Sequence, residues 1–330
     1  MEYMFQCFAW DAKTFEPLCD AKEYKDEEKI IFIGNSYTFY GNAVVNAGQN
    51  TDDASMQIRF GADGYFNQLL KQNNIDMQVT NWTWGGHGVD DIFDGSCAAD
   101  RGHDGHDHLA DLKRLSAMNY DYVVIQPTYK TATNGEELKE QIQMVKDAFG
   151  EKSPDAQYIL LMPSGYYVND TTGRQNFRKE LPGVIEETDI LVANWGILVS
   201  DIIKGKAVVE NSTQSYSKNS FIVSNSAEDG YHPNQLAGYI TAQTVFSVIT
   251  GKKAAGENYA FCTDGSINLA FDVNDFLSSF YVYDNISEEG NLKGDELTNY
   301  PEIFNSPDDM LGIQKLIDKY IEEKPYMNVE

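Results

Sequence analysis

Apolar residues along the chain follow two rhythms. Short β-branched and leucine-rich runs stop at glycine, proline or asparagine: "KIIFIG" from Lys29, "DYVVIQP" (121–127), "QYILLMP" (157–163) and "DILVANW" (189–195). A fifth segment, "DMQVTNW" (76–82), alternates apolar and polar positions. Runs of this length bounded by turn residues predict strands, and unbroken apolar runs predict strands buried on both faces. Between them the spacing changes to that of helices: Tyr65–Lys71, residues 108–118 with Leu109, Leu112 and Leu115, residues 134–150, and about 174–187. Asn134 and Gly150 bracket the third of these as cap residues, with Glu136 and Glu137 in its first turn. A helix is also expected after residue 195. Another is expected within 229–253, where Pro233 sits near the first turn and Gly251 near the end.

Strands alternating with helices predict an α/β fold with a mostly parallel sheet covered on both faces. Residues 1–28 read as an irregular lead-in, and residues 41–62 include a long polar loop. The strand–helix alternation begins at 29 and loosens after Lys206. Residues 253–330 lack that rhythm and read as a C-terminal extension packed on the domain, closing with the helix "DDMLGIQKLIDKYIEEK". Ligands of such sheets bind at the carboxyl ends of the strands. Ser36, Gly85–Gly86 and Gln126 all fall at predicted carboxyl ends.

A serine hydroxyl is a weak nucleophile until a base removes its proton, and that base needs a third group to hold its tautomer. Of five histidines, four (His87, His103, His106 and His108) share one segment, and His232 stands apart in "DGYHP". Asp229 precedes His232 by three residues, a spacing at which a turn brings carboxylate to imidazole. "FIGNSYTF" followed far downstream by "DGYHP" resembles the SGNH/GDSL serine hydrolases, in the bacterial branch whose first block reads Gly-Asn-Ser. The likeness covers about residues 29–252.

The resemblance implies a flavodoxin-like three-layer α/β/α sandwich with a Ser36–His232–Asp229 triad and no cofactor or metal. It also implies an oxyanion hole formed by the backbone N–H groups of Ser36 and Gly86, the latter within "NWTWGGHG". The family's third block departs here: "VVIQPTY" stands where Gly-x-Asn-Asp is usual. Either the amide of Gln126 replaces the asparagine donor, the favoured reading, or the hydroxyl of Thr128 does. Trp82 and Trp84 flank the second corner, with core packing the default for each and a place for one of them, Trp84, in the substrate pocket the alternative; His87 beside them is a candidate substrate contact. The α/β-hydrolase elbow, a P-loop and a dinucleotide-binding fingerprint are absent from the sequence.

"DRGHDGHDHLAD" (100–111) could offer His103, His106 and His108 to a metal. Their spacing does not match a helical metal pair, and the segment reads as a solvated loop entering a helix. Composition then narrows the partners. With 25 Lys plus Arg against 51 Asp plus Glu the net charge is −26, a field that repels nucleic acid and anionic lipid. No apolar run reaches membrane-spanning length. The acidic N-terminus does not read as a signal peptide, pointing to the cytoplasm unless a secreted chain was trimmed. The four scattered cysteines suit reduced thiols. The expected function is hydrolysis of short O-acyl esters, most simply O-acetyl groups on carbohydrate. A lipase-like or thioesterase activity on longer chains, or a glycan-binding protein without turnover, are the alternatives.

Overall fold

The computed structural model describes residues 27–45, 56–97, 107–162, 176–217, 220–221, 233–263 and 303–327. A six-stranded sheet organises them, with strands β1 (Glu28–Gly34), β2 (Met56–Phe60), β3 (Met77–Trp84), β4 (Tyr122–Ile125), β5 (Gln157–Leu161) and β6 (Leu191–Ala193) in the order β2-β3-β1-β4-β5-β6. Ile30, Ile31, Phe32 and Ile33 of β1 are at most 1% exposed, as expected of a strand covered on both faces. β1 pairs in parallel with β3 on one side and β4 on the other. The parallel run continues through β5 and β6.

One strand was not anticipated. β2 pairs antiparallel with β3, from Met56 opposite Trp84 to Phe60 opposite Thr80, inside the stretch read as a loop. It is five residues long, and Gln57 and Arg59 interrupt its apolar positions. Met56, Ile58 and Phe60 alternate with these polar residues, the pattern of a half-buried edge strand, but it closes a stretch whose bulk is polar and was read as one loop.

Without β2, the five parallel strands follow the flavodoxin-like order 2-1-3-4-5. The order reverses at β1, whose neighbours depart in opposite directions along the sheet. Ser36 lies just beyond the carboxyl end of this strand, at the topological switch point where open α/β sheets hold their ligands.

In chain order the helices are α1 (Ser36–Phe39), α2 (Tyr65–Gln72), α3 (Val89–Asp94), α4 (His108–Ser116), α5 (Tyr129–Ala132), α6 (Gly135–Phe149), α7 (Asn176–Thr188), α8 (Trp195–Ile203), α9 (Gln235–Thr250) and α10 (Pro307–Glu323). Residues Trp195 to Ile202 of α8 and Gln235 to Ser247 of α9 are all buried, so these two form the interior of their layer. Among the described residues no helix is long and apolar enough to cross a membrane.

The C-terminal helix α10 packs on α9 and α8. Polar ties fix it there: Tyr320 Oη donates to Asp201 Oδ2 at 2.6 Å, and Gln314 Nε2 to Tyr239 Oη at 2.7 Å. At the helix start, Asp309 accepts from Tyr216 Oη at 2.6 Å and from the hydroxyls of Ser212 and Ser306. Burial raises the pKa of this carboxyl, but the hydroxyls of Ser212, Ser306 and Tyr216 outweigh that and hold it below its ordinary range.

Candidate active site

Three strand ends meet around Ser36. β1 ends at Gly34, Asn35 makes the corner, and Ser36 opens the single-turn helix α1. Ser36 is 8% exposed, and its neighbours Asn35 and Thr38 are 2% and 0% exposed. Asn35 fixes the corner with three groups. Its carbonyl accepts from Thr38 N at 3.0 Å, starting the helical turn. Its Oδ1 accepts from Tyr37 N at 3.2 Å. Its Nδ2 reaches across to donate to the backbone carbonyl of His87 at 3.0 Å. The first strand end is thereby tied to the third.

The corner after β3 is made by Gly85–Gly86. Gly86 has φ +82°, a conformation in which a side chain would be strained. The N–H of His87 closes the turn on Trp84 O at 3.4 Å. α3 then begins, and Asp91 folds back on the corner. Its Oδ2 accepts from Gly88 N at 3.0 Å and lies 3.4 Å from His87 Nδ1, while its Oδ1 accepts from Ser96 Oγ at 3.0 Å. Burial raises the Asp91 pKa, but the Gly88 N–H, the Ser96 hydroxyl and His87 win, and the carboxyl titrates below its ordinary range. Asp90 moves the other way, raised by burial and by the neighbouring Asp91 charge.

Gln126, just past β4, completes the cluster at 1% exposure. Its Oε1 accepts from Asn35 N at 3.0 Å and from Thr38 Oγ1 at 3.1 Å, and its Nε2 donates to Pro127 O. The amide oxygen, and not the nitrogen expected to reach an oxyanion, faces the serine corner. Thr128, the alternative donor, is also engaged locally. Its Oγ1 accepts from Thr131 N at 3.2 Å and lies 3.0 Å from Thr131 Oγ1, capping the single turn α5. Trp84 is fully buried in the core, so its ring has no surface to offer a substrate. His87 is 9% exposed, held between Asn35 on its backbone and Asp91 on its ring.

Asp229 and His232 lie outside the described residues, as do His103 and His106. His108 opens α4 with its ring against the backbone of Gly95, where a Cβ would meet ring atoms at 1.9–2.3 Å. The anchors on either side of 222–232 are described. Asn234 N donates to Phe221 O at 3.0 Å, and Asn234 Nδ2 to Ser220 O at 3.0 Å. Asn234 also caps α9, accepting from Ala237 N at 3.1 Å.

This anchor sits against the chain leaving α1. A Cβ placed on Gly41 would be 2.2 Å from Asn234 O, and one placed on Gly238 would be 1.9 Å from Gly41 O. Two glycines thus let the start of α9 lie backbone to backbone against the turn that follows the serine helix. Sequence reading missed this contact. A glycine inside a strongly helical pattern, Gly238 in "QLAGYITAQ", was its available signal.

The fold and site together define an α/β/α sandwich of flavodoxin-like order with a buried serine corner at its switch point. No protein-family model and no curated protein matches the chain. Among solved structures it is similar to a DUF4886 family protein from Bacteroides uniformis ATCC 8492, at TM-score 0.51 and 12% identity, over 92% of this chain and 98% of that one. It also matches a putative SGNH hydrolase from Slackia heliotrinireducens at TM-score 0.41 and 12% identity, over 68% and 100% of the two chains. A Clostridium thermocellum family 3 carbohydrate esterase matches at TM-score 0.40 and 11% identity, over 68% and 96%. At such identities the likeness is one of fold.

Proposed function

We propose that the protein is a serine ester hydrolase with Ser36 as nucleophile, His232 as general base and Asp229 as the group that orients it. The observation that carries this reading is the seating of Asn234, two residues beyond His232, against Gly41, five residues beyond Ser36. The two motifs are far apart in sequence, yet their flanks touch. In the proposed reaction His232 takes the proton from Ser36 Oγ as that oxygen bonds to the ester carbonyl carbon. The carbonyl oxygen becomes an oxyanion, which the backbone N–H groups of Ser36 and Gly86 stabilise. Collapse expels the alcohol, which takes the proton from His232. Water, activated by the same histidine, then hydrolyses the acyl-enzyme.

The proposed substrate is a short-chain O-acyl ester, with O-acetylated carbohydrate the favoured class. Its support is the polarity, in sequence, of the segments that follow the first and second corners, "GNAVVNAGQNTDD" and "DRGHDGHDH". A buried methylene gains about 0.8 kcal/mol when apolar walls receive it, and these segments hold few large aliphatic residues to build such walls.

The test pairs fluorophosphonate labelling with a kcat/KM series over p-nitrophenyl esters. Labelling should map to Ser36 and vanish in Ser36→Ala, and acetate should be cleaved faster than butyrate, with octanoate hardly touched. Labelling that persists in Ser36→Ala refutes the nucleophile. A rate that climbs from acetate to octanoate refutes the short-chain reading. A folded protein that neither labels nor hydrolyses any ester is not an enzyme of this kind.

A further inference from the structure

We infer that Gln126 serves the reaction as a positioning residue, through its amide oxygen, and is not an oxyanion donor. The inference rests on the serine-hydrolase reading and deepens it.

Two independent constraints fix which way the amide points. A backbone N–H can only donate, so the atom 3.0 Å from Asn35 N is the oxygen. A backbone carbonyl can only accept, so the atom facing Pro127 O is the nitrogen. With the oxygen so placed, the Thr38 hydroxyl 3.1 Å away donates to it as well. The two donors come from the residues flanking Ser36, one before it and one two positions after it. A single acceptor from β4 therefore clamps both sides of the nucleophile's turn. In this buried setting nothing else need hold the Asn35 N–H, and leaving it unpaired is costly.

The backbone is shaped to admit this clamp. A Cβ on Gly34 would stand 2.7 Å from Gln126 Cβ and 2.9 Å from Gln126 Oε1, so the close approach requires a residue with no side chain there. Gln126 N also donates to Ile33 O at 2.8 Å, extending the β1–β4 pairing one residue past the strands. The clamped Gly34–Asn35 peptide immediately precedes the one that carries the Ser36 N–H, the first oxyanion donor in the proposed mechanism. A lone-pair oxygen aimed at that corner would repel a developing oxyanion if it had no donors of its own. Engaged by two, it stiffens the corner instead.

The test uses the full chain and three variants. Gln126→Glu keeps an acceptor oxygen in the same place and removes the amide nitrogen. Gln126→Leu removes both, and Thr38→Val removes one donor while keeping the shape. On the positioning reading, Thr38→Val lowers kcat about tenfold or less with little change in KM, the loss expected for one hydrogen bond that acts only on alignment. Gln126→Leu loses about 100-fold or more through misplacement of the nucleophile, whereas Gln126→Glu, whose second oxygen meets Pro127 O with no proton to donate, is read by exchange alone.

Amide hydrogen exchange gives a readout independent of turnover. The Asn35 N–H should exchange faster in Gln126→Leu and remain protected in Gln126→Glu. If Gln126→Leu loses turnover while Thr38→Val keeps the wild-type kcat, the amide nitrogen is the working group and the inference falls. It falls equally if Asn35 exchange is the same in wild type and Gln126→Leu. Should Gln126→Leu fail to fold, the Thr38→Val rate and the Asn35 exchange in Gln126→Glu and Thr38→Val still decide the matter. Failure of the hydrolase reading itself would show separately, as turnover or labelling that survives Ser36→Ala.

Discussion

Replacing Gly238 by alanine tests the contact that joins the two halves of the candidate site. The added Cβ would lie 1.9 Å from Gly41 O, 2.5 Å from Gly41 C and 2.9 Å from Gly41 Cα. All three are backbone atoms, so no side chain can rotate aside. Carbon and oxygen in close contact sit about 3.3 Å apart, so α9 and the turn after α1 must separate by more than an ångström. Gly41 is poorly placed to yield, since its φ is +67° and its own Cα faces Asn234 O. Overpacking of this kind costs about 1–3 kcal/mol. Helix propensity works the other way, favouring alanine over glycine by about 1 kcal/mol. Because the clash is with backbone, we expect it to win, leaving Gly238→Ala less stable than wild type.

Gly183, in α7, supplies the control. It is exposed, its φ is not positive, and a Cβ there meets nothing within 4 Å. Propensity acts alone, so Gly183→Ala should be more stable by about 0.5–1 kcal/mol. Denaturant midpoints at unchanged m-value measure both. The separation also moves the start of α9, three residues from His232, away from the serine turn. A misplacement of about 1 Å can cost about 100-fold in rate, so kcat for p-nitrophenyl acetate should fall by that order. A Gly238→Ala protein as stable as wild type, or more so, would show that the helix and the turn are not in backbone contact.

Three further outcomes are expected. Asp309→Asn should destabilise at pH 7; because the folded pKa of Asp309 is lowered, its contribution is present above the unfolded value of about 4 and fades as pH falls through the folded value. The stability gap between wild type and Asp309→Asn should therefore narrow below about pH 4, and a gap constant from pH 7 to pH 3 would contradict the assignment. Tyr320→Phe removes the 2.6 Å donor to the buried Asp201 carboxylate and should cost about 1.5–3 kcal/mol in urea unfolding. For activity, kcat/KM should rise with pH through about 6–7.5 as the general-base histidine loses its proton; a maximum near pH 4 would point to a carboxylate mechanism instead.

The sequence made the parallel core readable because its strands are buried on both faces. Ile30–Ile33, Val123–Ile125 and Ile159–Leu161 are unbroken apolar runs, and each is a strand. The capped helix 135–149 follows the same logic, with Asn134 accepting from Glu137 N at 3.4 Å. β2 escaped although its five residues alternate, because it closes a stretch whose bulk is polar and was read as one loop. α3 escaped because six residues are too few for a helical period. The serine corner was legible from its Gly-Asn-Ser block. The roles of Asn35 and Thr38 were not, since hydrogen bonds to a glutamine 91 and 88 positions away leave no local signal. Gln126 was picked out for its amide nitrogen, whereas its oxygen is the end that Asn35 and Thr38 engage. Its position at a strand terminus shows that it reaches the corner, whereas which atom it presents depends on the backbone donors waiting there.

That last point bears on why so short a motif can mark the site. Of the ties that hold the Ser36 corner, most use a backbone group on one side: Asn35 N to Gln126, Asn35 Nδ2 to His87 O, Tyr37 N to Asn35, and Gln126 N to Ile33 O. Backbone groups are supplied by the sheet whatever the sequence, so the side chains that must be specified are few. One acceptor is needed at 126, one amide at 35 and one hydroxyl at 38. Gly34 and Gly41 are needed where neighbouring chain comes too close for a Cβ. The remaining positions around the corner need only to be buried and apolar, a demand that many sequences meet. A fold shared at 12% identity over most of both chains is compatible with a corner specified so sparsely. The same economy makes each specified residue a sensitive probe. Changing one removes a hydrogen-bond partner that sets the corner's geometry, whereas the surrounding core can repack.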